Sequence, residues 1–484
     1  MTEDKKSKNK QAAVASTSGC FREATTSSRP PSSSSSISSY GAVRAQPLPH
    51  SSIEHLYGPE EVSYEADELV VVCLVRDGRP YVKSFVEHYA SMGVKHIFFL
   101  DNGSTDGTVS VARSYENVTI LRTELPYKGY EYSLKQYLVA RFGKKGRWCL
   151  CADIDELFDY PYSDVVGLGS FVGYLNANSY TAVAAQMLDM FPEEPLSGSR
   201  VANLPDEPLK ERHRFYDISN IRRKSFKELR RRFPNNTLES DEIEAFRGGI
   251  RGTLFGVDSD LTKFPLVFSD GRIKPFDGSS HWVDNARIAD FTCVLLHYKF
   301  LDGYFHQQAA KAVREGQYHN VSHAYKKYLQ VLEGNPDLRV KRESAGELRG
   351  VNDLVEDGFL VVSEEYMMLV YEQEEERKKG DGNAPGGGRP GGGAGDEGAL
   401  RRARARAEVQ GLRAKRLERS LEDLREQKRR EAERLGSTVA RLRKKNRNLA
   451  RQLRSMRTLR GWRLLNKLAR LRARVLPSRK GSDG

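Results

Sequence analysis

Short apolar runs alternate with segments of helical periodicity from residue 69 to residue 152. The apolar runs predict buried strands at 69–75, 96–100, 118–122 and 148–152, and the segments between them predict helices at 79–92, 109–114 and 130–142. Pro80 in the first turn of the first helix and Gly93 after its last turn are typical start and stop signals. Strands that alternate with helices form parallel β-α-β units. The pattern therefore predicts an α/β fold with a mostly parallel sheet and flanking helices.

Two of these strands run directly into acidic turns. The first turn is Asp101-Asn102-Gly103-Ser104-Thr105-Asp106-Gly107, and the second is Asp153-Ile154-Asp155-Glu156. Ligands of open α/β sheets bind outside the carboxyl ends of the strands, so both turns are expected at the ligand-binding edge. Two carboxylates in an Asp-x-Asp pattern can hold a hard divalent cation together with a diphosphate. The alternatives are solvated carboxylates at a strand end and an Asx-turn that only closes a tight connection.

Composition divides the chain outside this region. A serine run at 32–36 and few apolar residues predict a disordered head over 1–62. The globular domain is expected over 67–372, with helices at 304–316 and 321–333 near its end. A glycine-rich linker follows over 373–399, then a basic helical tail over 400–476 and a disordered end over 477–484.

The formal net charge of +13 comes from the tail alone. Residues 401–480 contain 29 Lys and Arg against 7 Asp and Glu, a balance of +22, so the remainder carries 13 − 22 = −9. Nucleic acid is the weakest interpretation of this charge, since the chain has no recognised nucleic-acid module and the tail has almost no aromatic residues. The basic character therefore belongs to the tail alone.

Apolar residues of the tail recur at steps of four and three. They are Leu435, Val439, Leu442, Leu449, Leu453 and Met456, with Asn446 at the remaining position. Such heptads predict a coiled coil, and a lone Asn fixes the register of two strands, so we expect a homodimer. A solvated helix face is the plain alternative. Contact of residues 460–476 with an anionic membrane is another, because arginines alternate there with Trp and Leu.

Neither the cysteines nor the terminus indicates secretion. The five cysteines include no Cys-x-x-Cys, which indicates neither a disulfide scaffold nor a zinc site. The first residues lack an apolar signal segment, and no run approaches the roughly 20 apolar residues that cross a bilayer. We therefore expect a cytoplasmic protein, with peripheral attachment at the inner face of the cell membrane as an alternative.

Four groups of residues, in this order, resemble bacterial glycosyltransferases of family 2 and the related family 92. They are 73–77 with 85–89, 100–108, Asp153-Ile154-Asp155-Glu156, and 296–300 with 311–316. The likeness covers about residues 67–330. It implies a GT-A (Rossmann-like) fold, a nucleoside diphosphate sugar as donor, and Mn²⁺ or Mg²⁺ as cofactor.

The resemblance also implies roles for individual residues. The nucleotide-sugar-binding group comprises Arg76, Asp101, Asn102, Ser104 and Asp153, and the metal-binding group comprises Asp153, Asp155 and His297. His281 competes with His297 as a ligand, and Arg76 has a salt bridge with Asp77 or Glu87 as its alternative.

Inverting transfer needs a carboxylate that deprotonates the acceptor hydroxyl. Asp189 follows the strand after the Asp-x-Asp and is the first candidate, while Glu242, Asp270 and Asp277 stay open. The x-Glu-Asp motif of family 2 has no clear counterpart here. The identity of the base and the inverting outcome therefore stay open.

Together these features predict a metal-dependent hexosyltransferase. It would move a hexose from a nucleoside diphosphate sugar, with UDP as the first choice, to a glycan or lipid-linked acceptor. A role in bacterial surface polysaccharide synthesis is implied by the resemblance alone. Two rival interpretations are a metal-dependent sugar-nucleotide hydrolase and a catalytically degenerate scaffold that acts through its basic tail.

Overall fold

The computed structural model describes residues 47–49, 51–196, 208–226, 234–276, 279, 281–301, 303–316, 321–380, 394–458 and 460–475. The predicted disordered head up to residue 46, residues 381–393 of the predicted linker and the end from 477 lie outside the described residues, as does Asp277. The two ends of the predicted linker, 373–380 and 394–399, are helical and belong to the helices before and after it. Within the predicted head, residues 53–57 form a strand, because their backbone pairs with the edge of the sheet.

Sixteen strands and twelve helices lie in the described residues. The strands are β1 (Ile53–Tyr57), β2 (Leu69–Val75), β3 (His96–Asp101), β4 (Val118–Thr123), β5 (Trp148–Cys151), β6 (Glu156–Asp159), β7 (Ala182–Asp189), β8 (Phe215–Tyr216), β9 (Ile221–Ser225), β10 (Thr237–Leu238), β11 (Glu244–Gly248), β12 (Thr262–Phe268), β13 (Lys274–Pro275), β14 (Val283–Asp284), β15 (Arg287–His297) and β16 (Gly346–Glu347). The helices are α1 (Arg79–Met92), α2 (Thr108–Ala112), α3 (Tyr127–Phe142), α4 (Leu168–Ala177), α5 (Leu209–Arg212), α6 (Gly249–Phe255), α7 (Tyr304–Glu315), α8 (Val321–Gly334), α9 (Val351–Glu356), α10 (Glu364–Gly380), α11 (Ala394–Thr458) and α12 (Arg460–Val475).

A mixed, mostly parallel sheet forms the centre of the molecule. Its strand order is β1-β4-β3-β2-β5-β12-β7-β15-β10, and β6 adds to β15. Strands β2, β3, β4 and β5 are parallel neighbours, as are β7, β15 and β10. Strand β12 lies between the two parallel groups and runs antiparallel to β5 and β7. The predicted α/β class and mostly parallel sheet are confirmed, and the GT-A assignment stays a prediction.

Strand β2 shows why the sheet is covered on both faces. All seven of its residues are buried. Leu69, Val71, Cys73 and Val75 share a cluster with α1, whereas the alternate residues Val70, Val72 and Leu74 share a second cluster with α3. Because strand side chains alternate between faces, a continuous apolar run requires a helix on each side. The two helices therefore fix the plane from which the strand ends emerge.

The first part of the predicted tail packs on the α/β domain. Ala405 and Val409 on α11 are fully buried against it. Arginines between residues 401 and 419 of the same helix form ion pairs with carboxylates packed against it, namely Arg401 with Glu372 and Glu375, Arg416 with Glu244, and Arg419 with Asp357. The large apolar residues from Leu435 to Met456 are exposed. The coiled coil predicted for them stays a prediction.

None of the helices in the described residues contains a stretch long and apolar enough to cross a lipid bilayer.

Gly58, just after β1, occupies a position where only glycine fits. Its φ is +82°, and an added Cβ would lie 2.8 Å from Thr119 Cα and closer still to the Val118 carbonyl oxygen. We expect Gly58→Ala to lower the free energy of unfolding by about 1–3 kcal/mol, measured by urea denaturation. Gly173→Ala is the control, because Gly173 lies inside α4 with nothing within 4 Å of its added Cβ. That change should stabilise the protein by up to about 1 kcal/mol, and equal effects of the two changes would contradict the prediction.

Candidate functional site

The ends of β5, β6, β7 and β15 bring the acidic turn after β5 together with His297. Strands β7 and β15 are parallel, with His297 opposite Asp189 in the register, and β6 is antiparallel with Glu156 opposite His297. The Tyr298 backbone N–H donates to the Asp155 carbonyl at 2.8 Å. The sheet register therefore places residues that are more than 100 positions apart at a single edge, as the sequence predicted for Asp155 and His297.

His297 lies between two carboxylates. Its Nδ1 donates to Asp189 Oδ1 at 2.5 Å, and its Nε2 lies 3.3 Å from Asp155 Oδ2. Burial alone would lower the pKa of His297, but the charges of Asp155 and Asp189 outweigh it and raise that pKa above its usual value. The same contact with His297 lowers the pKa of Asp155 against the opposing effect of burial. The imidazole is therefore fixed in orientation, with Nδ1 facing inward and Nε2 facing the Asp-x-Asp turn.

Asp189 has a partner on each carboxylate oxygen. Oδ1 accepts from His297, and Oδ2 accepts from Arg251 Nε at 2.8 Å. Burial would raise the pKa of Asp189, but Arg251 and His297 bring it to about 2. The Asp189 side chain is only 3% exposed. It resembles a carboxylate that accepts a hydrogen bond from one ring nitrogen of a histidine and thereby fixes the orientation of the other. This geometry favours a positioning role over the predicted role of catalytic base, which stays untested.

Asp153, the first carboxylate of the Asp-x-Asp, is bound by two lysines. Lys135 Nζ donates to Oδ1 at 2.7 Å, and Lys263 Nζ donates to Oδ2 at 2.8 Å. Lys263 also donates to Glu156 Oε1 at 2.5 Å. Burial acts to raise the pKa of Asp153, but the two ammonium groups hold it well below its usual value. Each carboxylate oxygen of Asp153 thus already has an ammonium group of the protein as its partner.

The two aspartates consequently differ in their fit to a divalent cation. Asp155 Oδ2 is a carboxylate oxygen of the kind that Mn²⁺ and Mg²⁺ prefer, and His297 Nε2 is an imidazole ligand only once it has lost its proton. At Asp153 a dication would meet ammonium groups, and a dication about 4 Å from a single positive charge is repelled by about 8 kcal/mol at an effective dielectric constant of about 20. Within the described residues no group of three or more His, Cys, Asp and Glu side chains is arranged to hold a metal. Asp155 and His297 fit the predicted metal, and Asp153 does not.

The turn after β3 is tied to its neighbouring strand. Asp101 is fully buried and accepts from the Ser104 backbone N–H at 3.1 Å and from Arg122 Nε at 3.3 Å. Asn102 Nδ2 donates to the carbonyls of Thr123 and Leu125, while its Oδ1 is buried without a hydrogen-bond partner among the described residues. An acceptor left unsatisfied in this way is costly unless a ligand or water donates to it. Asn102 Oδ1 is therefore an acceptor whose hydrogen-bonding capacity is not used by the described residues.

A second set of contacts joins the first βα turn to helix α7. Ser104 Oγ accepts from the Asp77 backbone N–H at 2.8 Å, and Asp77 forms an ion pair with Lys311. Arg76 lies 3.5 Å from Glu315 and 3.9 Å from Asp77. Arg76 thus has the salt bridge with Asp77 that was given as its alternative, together with an ion pair to Glu315. Helix α7, which follows His297 in the chain, therefore contacts the turn that carries Arg76.

The remaining candidates have structural partners. His281 Nδ1 lies 3.2 Å from the Thr262 carbonyl, and burial together with Lys263 keeps its pKa well below the usual value. Glu242 pairs with Arg413 and Arg416 of α11. Asp270 accepts backbone N–H groups of a turn, at Arg272 and Ile273. None of these contacts favours ligation by His281 or base catalysis by the two acids.

Three basic residues of the site were missed from the sequence, namely Lys135, Lys263 and Arg251. One signal was available, because Lys263 is the single charged residue in the otherwise apolar run of β12, and lysine is almost never buried without a partner. The sequence gives no such signal for Lys135 and Arg251, because both lie in helices, where charged residues are common.

Comparison with known proteins adds no relative. No protein-family model matches this chain, and no curated protein matches it at a significant level. The resemblance to glycosyltransferases of families 2 and 92 therefore stays a hypothesis that rests on the four groups of residues.

Proposed function

We propose that this chain transfers a hexose from a nucleoside diphosphate sugar to a glycan or lipid-linked acceptor. The observation that carries the proposal is the pairing of Asp155 with His297 at 3.3 Å, at the same sheet edge as the buried Asp101–Asn102 turn. A cation site beside a turn with an unsatisfied acceptor is the arrangement that a sugar nucleotide requires, with the diphosphate at the cation and the nucleoside at the turn.

The residues have separate roles in this proposal. Asp101 and Asn102 receive the nucleoside, and Ser104 holds the turn against Asp77. Asp155 and His297 would hold Mn²⁺ or Mg²⁺, which would supply positive charge for the departing diphosphate. Asp189 and Arg251 keep the imidazole of His297 in a single orientation. The protein carboxylate that takes the proton from the hydroxyl group of the acceptor is left open.

Nucleotide binding tests this function directly. UDP, GDP, CDP and TDP are each titrated into the purified chain with and without Mn²⁺, by calorimetry and by thermal unfolding. We expect one nucleotide to bind in the presence of Mn²⁺, and at 100 times its Kd it should stabilise the protein by about 2.7 kcal/mol. Asp155→Ala should abolish this binding, whereas Asp258→Ala, which changes a half-exposed surface carboxylate, should not.

The outcomes separate the rival functions. Absence of binding by all four nucleotides, in a protein shown to be folded, would overturn the transferase proposal and favour the scaffold. Release of free sugar at a rate insensitive to added acceptor would favour the hydrolase instead.

A further inference from the structure

Four leucines of helix α12 are exposed to solvent. They are Leu464, Leu465, Leu468 and Leu471, and the exposed fraction of each lies between 53% and 63%. Large apolar side chains that lie together at a surface mark a place where the protein contacts a partner. The last helix of the described chain therefore has an apolar face that is open to such a contact.

A row of basic residues lies beside this apolar face. At 3.6 residues per turn the four leucines span about 120° around the helix axis, and a separate arc of about 60° begins about 40° away from them. That arc contains Arg463, Lys467, Arg470 and Arg474. Arg472 is the exception, because it falls among the leucines, where a long aliphatic stem lets a guanidinium reach water. Helix α12 thus has an apolar face with a basic flank.

We propose that α12 lies flat on an anionic lipid surface, with its leucines inserted at the boundary of the acyl chains and its basic row on the phosphate headgroups. An amphipathic helix with leucines on one face and Lys and Arg on the other binds at this interface without crossing the bilayer. The proposal concerns where the chain is attached, so it goes beyond sugar transfer and does not depend on it.

Charge distinguishes a lipid surface from a second copy of the helix. Residues 438–475 contain fourteen Lys and Arg and no Asp or Glu, so two α12 helices would offer each other like charges only. The heptads of 435–456, continued into α12, would place Arg463, Lys467 and Arg470 at the seam of a coiled coil. Anionic headgroups have the opposite charge, and each basic residue near them strengthens binding by about fivefold.

The leucines distinguish a lipid surface from nucleic acid. A nucleic-acid backbone offers the same negative charge, and contacts with it depend on the basic residues alone. Binding of that kind would leave Leu464, Leu468 and Leu471 in water. A lipid surface covers the leucines and the basic row together, which is why it is the partner that both features favour.

Vesicle sedimentation with the full chain tests this contact. Vesicles of phosphatidylcholine with one-quarter phosphatidylglycerol are compared with vesicles of phosphatidylcholine alone. We expect the affinity for the anionic vesicles to be higher by at least about tenfold at about 0.1 M salt, because the basic row is attracted to them. The affinity should fall as salt is added, since salt screens this attraction.

One double variant tests the leucines. Leu464→Ser combined with Leu468→Ser should weaken binding to the anionic vesicles by at least about tenfold, because two apolar side chains no longer insert. Leu417→Ser combined with Leu421→Ser is the matched control. These two leucines have the same spacing on α11 and are 66% and 54% exposed, so their replacement should leave the affinity unchanged.

A second double variant tests the charges. Lys467→Gln combined with Arg470→Gln removes two positive charges from the basic row and should weaken binding by about 30-fold. Its control is Arg272→Gln combined with Arg349→Gln. These arginines lie on the α/β domain with side chains that are 79% and 82% exposed, and the affinity should again be unchanged.

Several outcomes would overturn the proposal. One is equal binding to neutral and anionic vesicles, and another is binding that survives both changes in α12. Loss of binding in the charge variant alone would reduce the contact to electrostatic attraction without insertion. Binding of a DNA duplex, with no binding to either vesicle, would favour nucleic acid instead. The proposed sugar transfer would stand in each case, because nucleotide binding tests it separately.

Discussion

Asp189→Ala is expected to lower the free energy of unfolding by about 3–5 kcal/mol. The change leaves the Arg251 guanidinium buried without its carboxylate, and removal of one member of a buried ion pair costs far more than loss of an exposed pair. His297 loses its Nδ1 partner in the same step. Urea denaturation followed by circular dichroism gives the free energy.

Two controls define the origin of this effect. Asp258→Ala removes a carboxylate that is 51% exposed beside Arg222, and it should change stability by less than about 1 kcal/mol. Asp189→Asn keeps the volume of the side chain and one acceptor oxygen, so it should cost less than Asp189→Ala and remain folded for binding measurements.

The same variant separates positioning from base catalysis. A carboxylate that orients a metal-binding histidine typically changes the metal affinity by about 10–100-fold when it is removed. Asp189→Asn should therefore weaken Mn²⁺ binding within that range. Unchanged Mn²⁺ affinity and unchanged stability, with transfer abolished, would instead show that Asp189 acts on the acceptor hydroxyl and would contradict the role that its contacts favour.

The local part of the fold followed from the sequence. Strand β2, helix α1 and strands β3 and β5 lie within one or two residues of the predicted ranges. Buried strands and amphipathic helices have different periods, and short connections leave little freedom in their order, so pattern alone identifies them. The edge at which Asp101 and Asp155 lie followed from the same rule.

The closure of the site did not follow from the sequence. Strand β12 enters the sheet antiparallel between β5 and β7, more than 100 residues after the end of β5, and no periodicity specifies such a non-local pairing. Lys263 reaches Asp153 only through that strand. The prediction for Asp153 as a metal ligand was drawn from a motif of three residues, and a motif cannot show which charges surround it in space.

The outer half of α11 is expected to make the chain a parallel homodimer. From Leu435 to Met456 the apolar residues at heptad positions are 45–59% exposed, which is unusual for six large side chains on one helix stripe. Fourteen basic residues and no acidic residue lie between 438 and 475, so charge repulsion opposes pairing. The position of these charges in the heptads decides whether pairing is possible.

With Val439, Asn446 and Leu453 at position a, the charged pairs across a parallel dimer can be read from positions g and e. They join Thr438 with Arg443, Lys445 with Ala450, and Gln452 with Arg457. No pair joins like charges. The other basic residues between 438 and 457 lie at positions b, c and f, away from the seam, whereas in the same register five of the six basic residues from Arg460 to Arg474 fall at positions a and d, so the predicted seam ends at Met456. Repulsion is thus spread over the outer faces, where salt screens it within about 10 Å at 0.1 M.

Leu442→Glu combined with Leu449→Glu should convert the dimer into a monomer, as measured by sedimentation equilibrium. Each monomer then buries charge in place of two leucines at the seam, and the dimer Kd should rise by at least about 100-fold, or 2.7 kcal/mol. Lys444→Glu combined with Arg451→Glu is the control, because both residues occupy position f, and it should stay dimeric. A chain that is already monomeric at 0.15 M salt, or a control that dissociates equally, would contradict the coiled coil and leave the stripe of leucines as a surface for a different partner.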